Sequence, residues 1–277
     1  MHLHFYFCSY AFVLACLAPY VVSAEEEQKT GRVIRVAIGV GHTPGAPGAM
    51  SASGVTEYTY NRRMASLIAE DLRSQPGVVV TVINGSGREI SLLQRGDAAN
   101  HAKADLFLSV HHDSVNERYK VTRRAGGKIS RQSERFRGYS VFYSDKNREP
   151  GASLEFAKQL GRAMREQGLL PTAHHAEKIP GEGRDLVIPE DGVYRFPDLL
   201  VLKRARMPAA LLECGVIVHP AEEEELNTAE RQRQIVGAVR AAVLRTAAWL
   251  RTRAAESPCR TYAGRQSRAR KFALVRV

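Results

Sequence analysis

The feature that most constrains the fold of this chain is a repeated alternation of short apolar runs with amphipathic helical segments. The β-branched run 33–40 ends in Gly41-His42, and a loop rich in Gly, Pro, Ser and Ala follows at 43–56. Residues 57–74 then carry apolar side chains at helical spacing. This order predicts a buried strand, a loop and a helix.

The same alternation continues along the rest of the chain. Further strands are predicted at 78–83, 105–110, 139–143, 199–202 and 209–218, and helices at 90–102, 154–167 and 230–251. Alternating strands and helices are typical of α/β proteins, in which helices cover both faces of a mostly parallel sheet. We therefore expect an α/β fold: a single domain at 33–251, with a twisted, mostly parallel sheet flanked by helices.

The N-terminal segment has the pattern of an export signal. The first 24 residues contain no Lys, Arg, Asp or Glu, and an apolar stretch precedes the small-x-small sequence Val22-Ser23-Ala24. This pattern predicts a secretory signal peptide at 1–24, too short and too early to be a lasting membrane span. Residues 25–32 are then a linker. We expect the protein to be exported to the periplasm or cell envelope.

Positive charge is concentrated in two segments of a chain whose net charge is +11. An insertion at 117–137 carries eight basic residues against two acidic ones, and the C-terminal tail at 252–277 is also basic. An exported chain of this charge meets anionic wall polymers rather than nucleic acid. The two segments either bind such polymers or are solvated and disordered. Cys214 and Cys259 alone follow the signal, so no disulfide framework is expected.

Four polar residues stand where predicted strands end or a predicted helix begins: His42, Glu57, His111 and Glu213. In an open α/β sheet such ends gather at one edge, where sites are usually built. Two His and one carboxylate suit a catalytic Zn²⁺, because three protein ligands leave a fourth position for water. A spare carboxylate is then the natural general base. The spacing alone matches no local metal signature.

The sequences around these residues carry a family resemblance. In order, they are Gly41-His42, Glu57 at a helix start, Arg95-x-x-x-Ala99-Asn100, the run 104–111 (ADLFLSVH), and 208–213 (PAALLE). Together they resemble the zinc-dependent N-acetylmuramoyl-L-alanine amidases, the type 3 cell-wall amidases, over residues 33–251.

The resemblance implies a site and a reaction. It implies that His42, Glu57 and His111 bind one zinc ion per chain and that Glu213 is the catalytic carboxylate. The implied substrate is peptidoglycan, hydrolysed at the amide bond between N-acetylmuramic acid and L-alanine. Two other functions stay open: a zinc peptidase acting on another bond of the peptide stem, and a wall-binding protein without turnover. The oligomeric state is not indicated.

The chain departs from the family pattern at several positions. Gly39-Val40-Gly41-His42 stands where Asp-x-Gly-His is usual, and His112 stands where a small residue is common. As a neighbour of His111 on a strand, His112 should point to the opposite face and have a supporting or structural role. The helical insertion that blocks the site in some members does not follow Ser144. His174 and His175 are expected to be a solvated loop pair, the alternative being that they line a substrate groove.

Overall fold

A computed structural model describes residues 33–125 and 127–256. The signal peptide and linker expected at 1–32 and the tail from residue 257, with Cys259, lie outside these residues. The strands are β1 (Ile34–Val40), β2 (Val78–Ile83), β3 (Leu106–Asp113), β4 (Val121–Ala125), β5 (Lys128–Gln132), β6 (Ser140–Tyr143), β7 (Asp185–Ile188), β8 (Val193–Arg195) and β9 (Ala209–Val216). The α-helices are α1 (Glu57–Arg73), α2 (Leu92–His101), α3 (Pro150–Glu166), α4 (Leu200–Arg204), α5 (Pro220–Leu226) and α6 (Ala229–Ala255).

Seven strands form one sheet in the order β2-β1-β3-β9-β6-β8-β7. The four strands β2, β1, β3 and β9 are parallel to their neighbours. β6 is antiparallel to β9 and parallel to β8, while β7 is antiparallel to β8. The expected mostly parallel α/β sheet is confirmed. Because β1, β3 and β9 are parallel, their carboxyl ends lie at the same edge of the sheet.

Helices cover both faces of this sheet, which gives the molecule two apolar layers. On one face, α1, α3 and α6 pack on alternate residues of the strands, such as Val36 and Ile38 of β1 and Leu108 of β3. On the other face, α2 and α4 pack on the residues between them, such as Ala37 and Phe107. The central strands are therefore buried on both faces, which explains their nearly continuous apolar runs.

The helices that position the site begin at defined local signals. α1 begins after the extended residue Thr56 and has Glu57 in its first turn, where a carboxylate interacts favourably with the helix dipole. α2 begins with a capping box, in which the Ser91 side chain accepts from Gln94 N and the Gln94 side chain accepts from Ser91 N. The first turn of α2 is thus fixed by its own side chains, whereas α1 begins without a side-chain cap.

The prediction of a strand at 199–202 is wrong, because the short helix α4 begins at Leu200. Val201 and Leu202 are buried against the other apolar residues of the α2 face. A four-residue apolar run does not distinguish a strand from a buried helical turn by periodicity, which explains the error.

Other elements were not anticipated or end elsewhere than expected. β7, β8 and α5 were not predicted, and α6 continues to Ala255, beyond the expected end at 251. Within the basic insertion, β4 and β5 form a separate antiparallel hairpin. Of the helices in the described part of the chain, none has the length and apolar character needed to cross a membrane.

Candidate metal centre and active site

His42 lies two residues beyond the end of β1, at the carboxyl edge of the sheet. Its φ of 64° is in the left-handed region, which is uncommon for a residue with a side chain. Its carbonyl accepts hydrogen bonds from Asn84 Nδ2 at 3.3 Å and from the guanidinium of Arg95. Arg95, which is buried, also donates to the carbonyl of Val40. These donors hold the chain in the strained conformation that aims His42 at the site.

Glu57 and His111 complete a cluster around the same point. Glu57 is the first residue of α1, and His111 lies near the carboxyl end of β3. Glu57 Oε2 is 3.0 Å from His42 Nε2, and Glu57 Oε1 is 3.0 Å from His111 Nδ1. One potential ligand atom from each of the three residues lies within 4.8 Å of the others. Two imidazoles and a carboxylate in this arrangement could hold one metal ion.

The carboxylate of Glu57 is buried and held on both oxygens. Oε2 accepts from the backbone N of Ala49 at 3.1 Å, and Oε1 accepts from Asn61 Nδ2 at 3.0 Å. Burial alone would favour the protonated acid, but the hydrogen bonds and charges of His111 and His42 hold the pKa of Glu57 well below its ordinary value. Glu57 is therefore an anion, the form that binds a cation.

Glycines leave room for the cluster at two points. A Cβ at Gly48, which has a φ of +76°, would contact the Glu57 carboxylate and lie 2.8 Å from His42 Cδ2. A Cβ at Gly41 would lie 2.6 Å from the ring of His111. Both distances are shorter than real Cβ contacts, so a side chain at either position would displace residues of the cluster.

Glu213 lies beside this cluster on the next strand. Its backbone pairs with that of His111 in the register between β3 and β9. In the described part of the chain, its Oε2 is buried and has no hydrogen-bond partner. Burial, together with the charges of Asp113 and Glu57, raises the pKa of Glu213 well above its ordinary value. A carboxyl group with a raised pKa can exchange protons nearer neutral pH.

Glu213 also lines a pocket that could receive a substrate. The pocket has a volume of about 190 Å³, and Phe142, His175, Glu182 and Arg184 contribute to its walls. Arg184 stacks over the ring of Phe196, with its guanidinium carbon 4.1 Å from the ring centroid. Glu213 is therefore one of the residues that line this pocket.

His112 is buried and is not part of the cluster of His42, Glu57 and His111. Its Nδ1 is 2.8 Å from Oδ1 of Asn61, the same amide that donates to Glu57. Burial lowers the pKa of His112 to about 3, so its ring is neutral. His112 supports the cluster through Asn61. Asn61 was not identified from the sequence, although its position one helical turn after Glu57 is a usable signal.

The expectation that His174 and His175 are a solvated loop pair is wrong. His174 is 1% exposed, and only 13% of the His175 side chain is exposed. His175 Nε2 is 2.8 Å from Asp113 Oδ2, and its Nδ1 is 3.0 Å from Glu182 Oε2. Although burial opposes it, the charges of Asp113 and Glu182 raise the pKa of His175 to about 9. The loop that carries these histidines, and that forms one wall of the pocket, thus packs against Asp113 at the end of β3.

With this geometry established, the family of the chain is defined. Residues 36–245 match the family described as N-acetylmuramoyl-L-alanine amidase, and the chain belongs to this family. Enzymes of this family cleave peptidoglycan at the amide bond that joins N-acetylmuramic acid to L-alanine. The chain is accordingly an amidase. No curated protein sequence gives a significant match to it.

Solved structures similar to this chain have the same fold. An N-acetylmuramoyl-L-alanine amidase from Clostridium difficile 630 superimposes with a TM-score of 0.61 at 22% identity, covering 80% of this chain and 98% of that chain. For Ami1 of Mycobacterium smegmatis the TM-score is 0.62 at 17% identity, covering 79% and 99%. For AmiC2 of Nostoc punctiforme it is 0.57 at 21% identity, covering 79% and 97%.

Proposed function

We propose that this amidase is an exported enzyme that uses one Zn²⁺ held by His42, Glu57 and His111, with Glu213 as the proton-transferring carboxylate. The observation that carries the proposal is the 3.0 Å separation of both Glu57 oxygens from the two imidazoles. Two imidazoles and one carboxylate are a donor set found in catalytic zinc sites. The unpartnered Oε2 of Glu213 beside them supports the assignment of a separate base.

When bound, zinc supplies a Lewis acid that polarises the scissile carbonyl and lowers the pKa of a water molecule. Glu213 accepts one proton from the attacking water, whose oxygen forms a bond to the carbonyl carbon of the lactyl group. Glu213 then donates that proton to the nitrogen of L-alanine as the carbon–nitrogen bond breaks. The products are a free lactyl carboxylate on the glycan and a stem peptide with a free amino terminus.

The environment of Glu213 supports this proton transfer. Its raised pKa results from burial and from the negative charges of Asp113 and Glu57. A cation at the metal cluster acts against those negative charges and favours the carboxylate form that must accept the proton. Glu213 is then protonated only between accepting the proton from water and donating it to the leaving nitrogen. This suits a group that both takes and gives a proton.

Export and wall binding are further parts of the proposal. The apolar, uncharged segment 1–24 supports export, and peptidoglycan lies outside the cytoplasmic membrane. The hairpin of β4 and β5 exposes Arg123 and Arg124, which supports contact with anionic wall polymer. Arg123 also lies 3.8 Å from Glu134 Oε1, and other cations of the insertion pair with carboxylates, such as Arg131 with Glu117.

The experiment that tests the metal assignment compares wild type with the variant His42→Ala, His111→Ala. We expect the variant to contain one equivalent of zinc fewer by elemental analysis and to lose turnover on purified sacculi, because one remaining ligand cannot hold the ion. His101→Ala, which changes an exposed histidine on α2, is the matched control. An unchanged zinc content in the double variant would contradict the proposal.

The same digests separate the alternative functions. Mass analysis of wall fragments should find free lactyl groups and intact stem peptides. Shortened stem peptides would instead indicate a peptidase that acts on another bond. Binding to sacculi without any released product would indicate a wall-binding protein.

A further inference from the structure

A second cluster of metal-ligating side chains lies outside the site described above. Asp113 at the end of β3 and the consecutive His174 and His175 each offer one ligand atom, and these atoms lie within 4.8 Å of one another. Asp113 Oδ2 is 2.8 Å from His175 Nε2 and 3.3 Å from His174 Nε2. We infer that Asp113, His174 and His175 form a second binding site for a divalent transition-metal ion, best matched by zinc.

The distances within the cluster suit an ion at its centre. Zinc lies about 2.0 to 2.2 Å from imidazole nitrogens and carboxylate oxygens, so ligand atoms of a tetrahedral site are roughly 3.4 Å apart. The 3.3 Å separation is close to this value, and the 2.8 Å separation is a hydrogen bond between Asp113 Oδ2 and His175 Nε2 that an ion would replace. They are also similar to the 3.0 Å separations in the His42, Glu57 and His111 cluster.

In each imidazole, the ring nitrogen that points away from the cluster already has a hydrogen-bond partner, as in metal-binding histidines. His175 Nδ1 is 3.0 Å from Glu182 Oε2, and His174 Nδ1 is 2.9 Å from Thr172 Oγ1. The other carboxylate oxygen of Asp113, Oδ1, accepts from the backbone N of Ser114 at 2.7 Å. Outer partners of this kind orient histidine and carboxylate ligands toward a metal ion. The three inward atoms are thus left facing one another.

The inward nitrogen of His174 is an independent indication of a ligand. His174 is 1% exposed, and its Nε2 is buried without a hydrogen-bond partner in the described part of the chain. Asp113 Oδ2 lies 3.3 Å from it, but not in hydrogen-bonding geometry. An imidazole nitrogen buried in this way costs free energy unless something binds it. A metal ion satisfies this nitrogen and the carboxylate oxygen together.

The second site has a route of entry and a structural consequence. His175 lines the pocket that also contains Glu213, so an ion can reach the cluster from that pocket. Asp113 belongs to the central sheet, whereas His174, His175 and Glu182 belong to the segment 172–184 that walls the pocket. A bound ion therefore fastens this wall to the sheet beside the substrate pocket.

The test measures zinc binding in the full chain after the first site has been removed by His42→Ala and His111→Ala. Equilibrium dialysis against zinc alone should find one remaining equivalent. Adding His174→Ala should raise the Kd at least about 100-fold, since removal of a mere outer partner typically costs 10 to 100-fold. Glu182→Gln should give that smaller effect. His101→Ala is the matched control and should change nothing.

Asp113→Asn provides a second reading if His174→Ala does not fold, because it keeps the size of the side chain while weakening it as a ligand. Circular dichroism checks the fold of each variant. Absence of zinc binding in the first-site variant would overturn the inference and would show that His175 is only a protonated bridge between Asp113 and Glu182. Equal Kd values with and without His174 and Asp113 would overturn it as well.

The inference is independent of the proposed catalytic metal. In His174→Ala alone, the remaining equivalent of zinc reports on the first site, and turnover on sacculi reports on the reaction. Loss of zinc from that single variant down to zero would contradict the first assignment, not the second.

Discussion

Replacement of Glu213 by glutamine separates proton transfer from metal binding and from folding. The variant keeps the size of the side chain and removes its ability to accept a proton. In the metal-free chain, burial and the charges of Asp113 and Glu57 raise the pKa of Glu213 well above its ordinary value. This shift favours the protonated acid in the wild-type side chain, and the substitution replaces it with a neutral group of similar size.

The effect on stability should accordingly be small. Among the residues that the structure describes, buried Glu213 Oε2 already has no hydrogen-bond partner, so an unsatisfied amide group at the same place adds little to the existing cost. An unsatisfied buried polar group costs about 1 to 3 kcal/mol. Because wild type already bears such a cost, we expect the free energy of unfolding to change by about 1 kcal/mol or less.

Turnover should respond very differently. Positioned general acid–base groups contribute roughly 10² to 10⁴-fold, which corresponds to about 3 to 5 kcal/mol of activation free energy. Zinc content should stay at the wild-type value, since Glu213 is not among the clustered ligand atoms. Binding to sacculi should also persist, because the changed group acts mainly in the transition state. Glu190→Gln, at an exposed carboxylate, is the control.

The assay follows free amino termini released from purified sacculi, with zinc content, sedimentation with sacculi and urea unfolding measured on the same preparation. A variant that loses zinc would show that Glu213 is a ligand and that one of the other three residues is not. Near-normal turnover would show that another residue is the base. A loss of several kcal/mol of stability would refute the argument that Glu213 is neutral before metal binds.

Substitutions at Gly48, at Glu222 and at the exposed pair Arg123 and Arg124 test three other features of the chain. Gly48→Ala should weaken zinc binding about 10 to 100-fold in dialysis, because the added Cβ would contact the Glu57 carboxylate. The control Gly54→Ala, at a φ of +89° with open space around it, should leave zinc binding unchanged. Burial raises the pKa of Glu222 to about 7, so the folded chain keeps a proton that the unfolded chain releases above pH 4.5. Stability is therefore full below about pH 4.5 and falls by about 3 kcal/mol as the pH rises from 4.5 to 7. Glu222→Gln should abolish this fall in urea unfolding, and an equal fall in both proteins would contradict it. Substitution of Arg123 and Arg124 by serine should lower affinity for sacculi at low salt only, since exposed charges are screened over about 8 Å at physiological ionic strength.

The parts of the fold that were predictable from the sequence are those with long periodic segments. β1, β3 and β9 are buried on both faces and are nearly continuous apolar runs, while α1 and α6 repeat apolar residues at helical spacing. The segment 199–202 was mispredicted because a single turn of helix and a short strand have the same apolar pattern. β8, with three residues, is too short to show any period.

The candidate site likewise has one part that the sequence predicts and one part that it does not. His42, Glu57 and His111 come together because parallel strands end at one edge, which is a rule of topology. The pairing of Asp113 with His175, 62 residues apart, has no such rule behind it. It depends on the path of the loop that carries both histidines across the pocket, and a loop path leaves no periodic signal in the sequence.

His42, the first of the proposed metal ligands, is held by contacts to its backbone, in place of the aspartate that the family pattern usually has three residues before it. Gly39 occupies that position on β1, and a Cβ there would lie 3.0 Å from Cε2 of Phe107. An aspartate side chain therefore has no room unless Phe107, which is fully buried, moves. Support for His42 comes instead from Arg95, whose guanidinium donates to the carbonyls on either side of Gly41. Arg95 is buried, and desolvation lowers its pKa, while the charge of Glu89 acts in the opposite direction. Orientation of His42 and burial of this arginine are thus two consequences of one set of contacts.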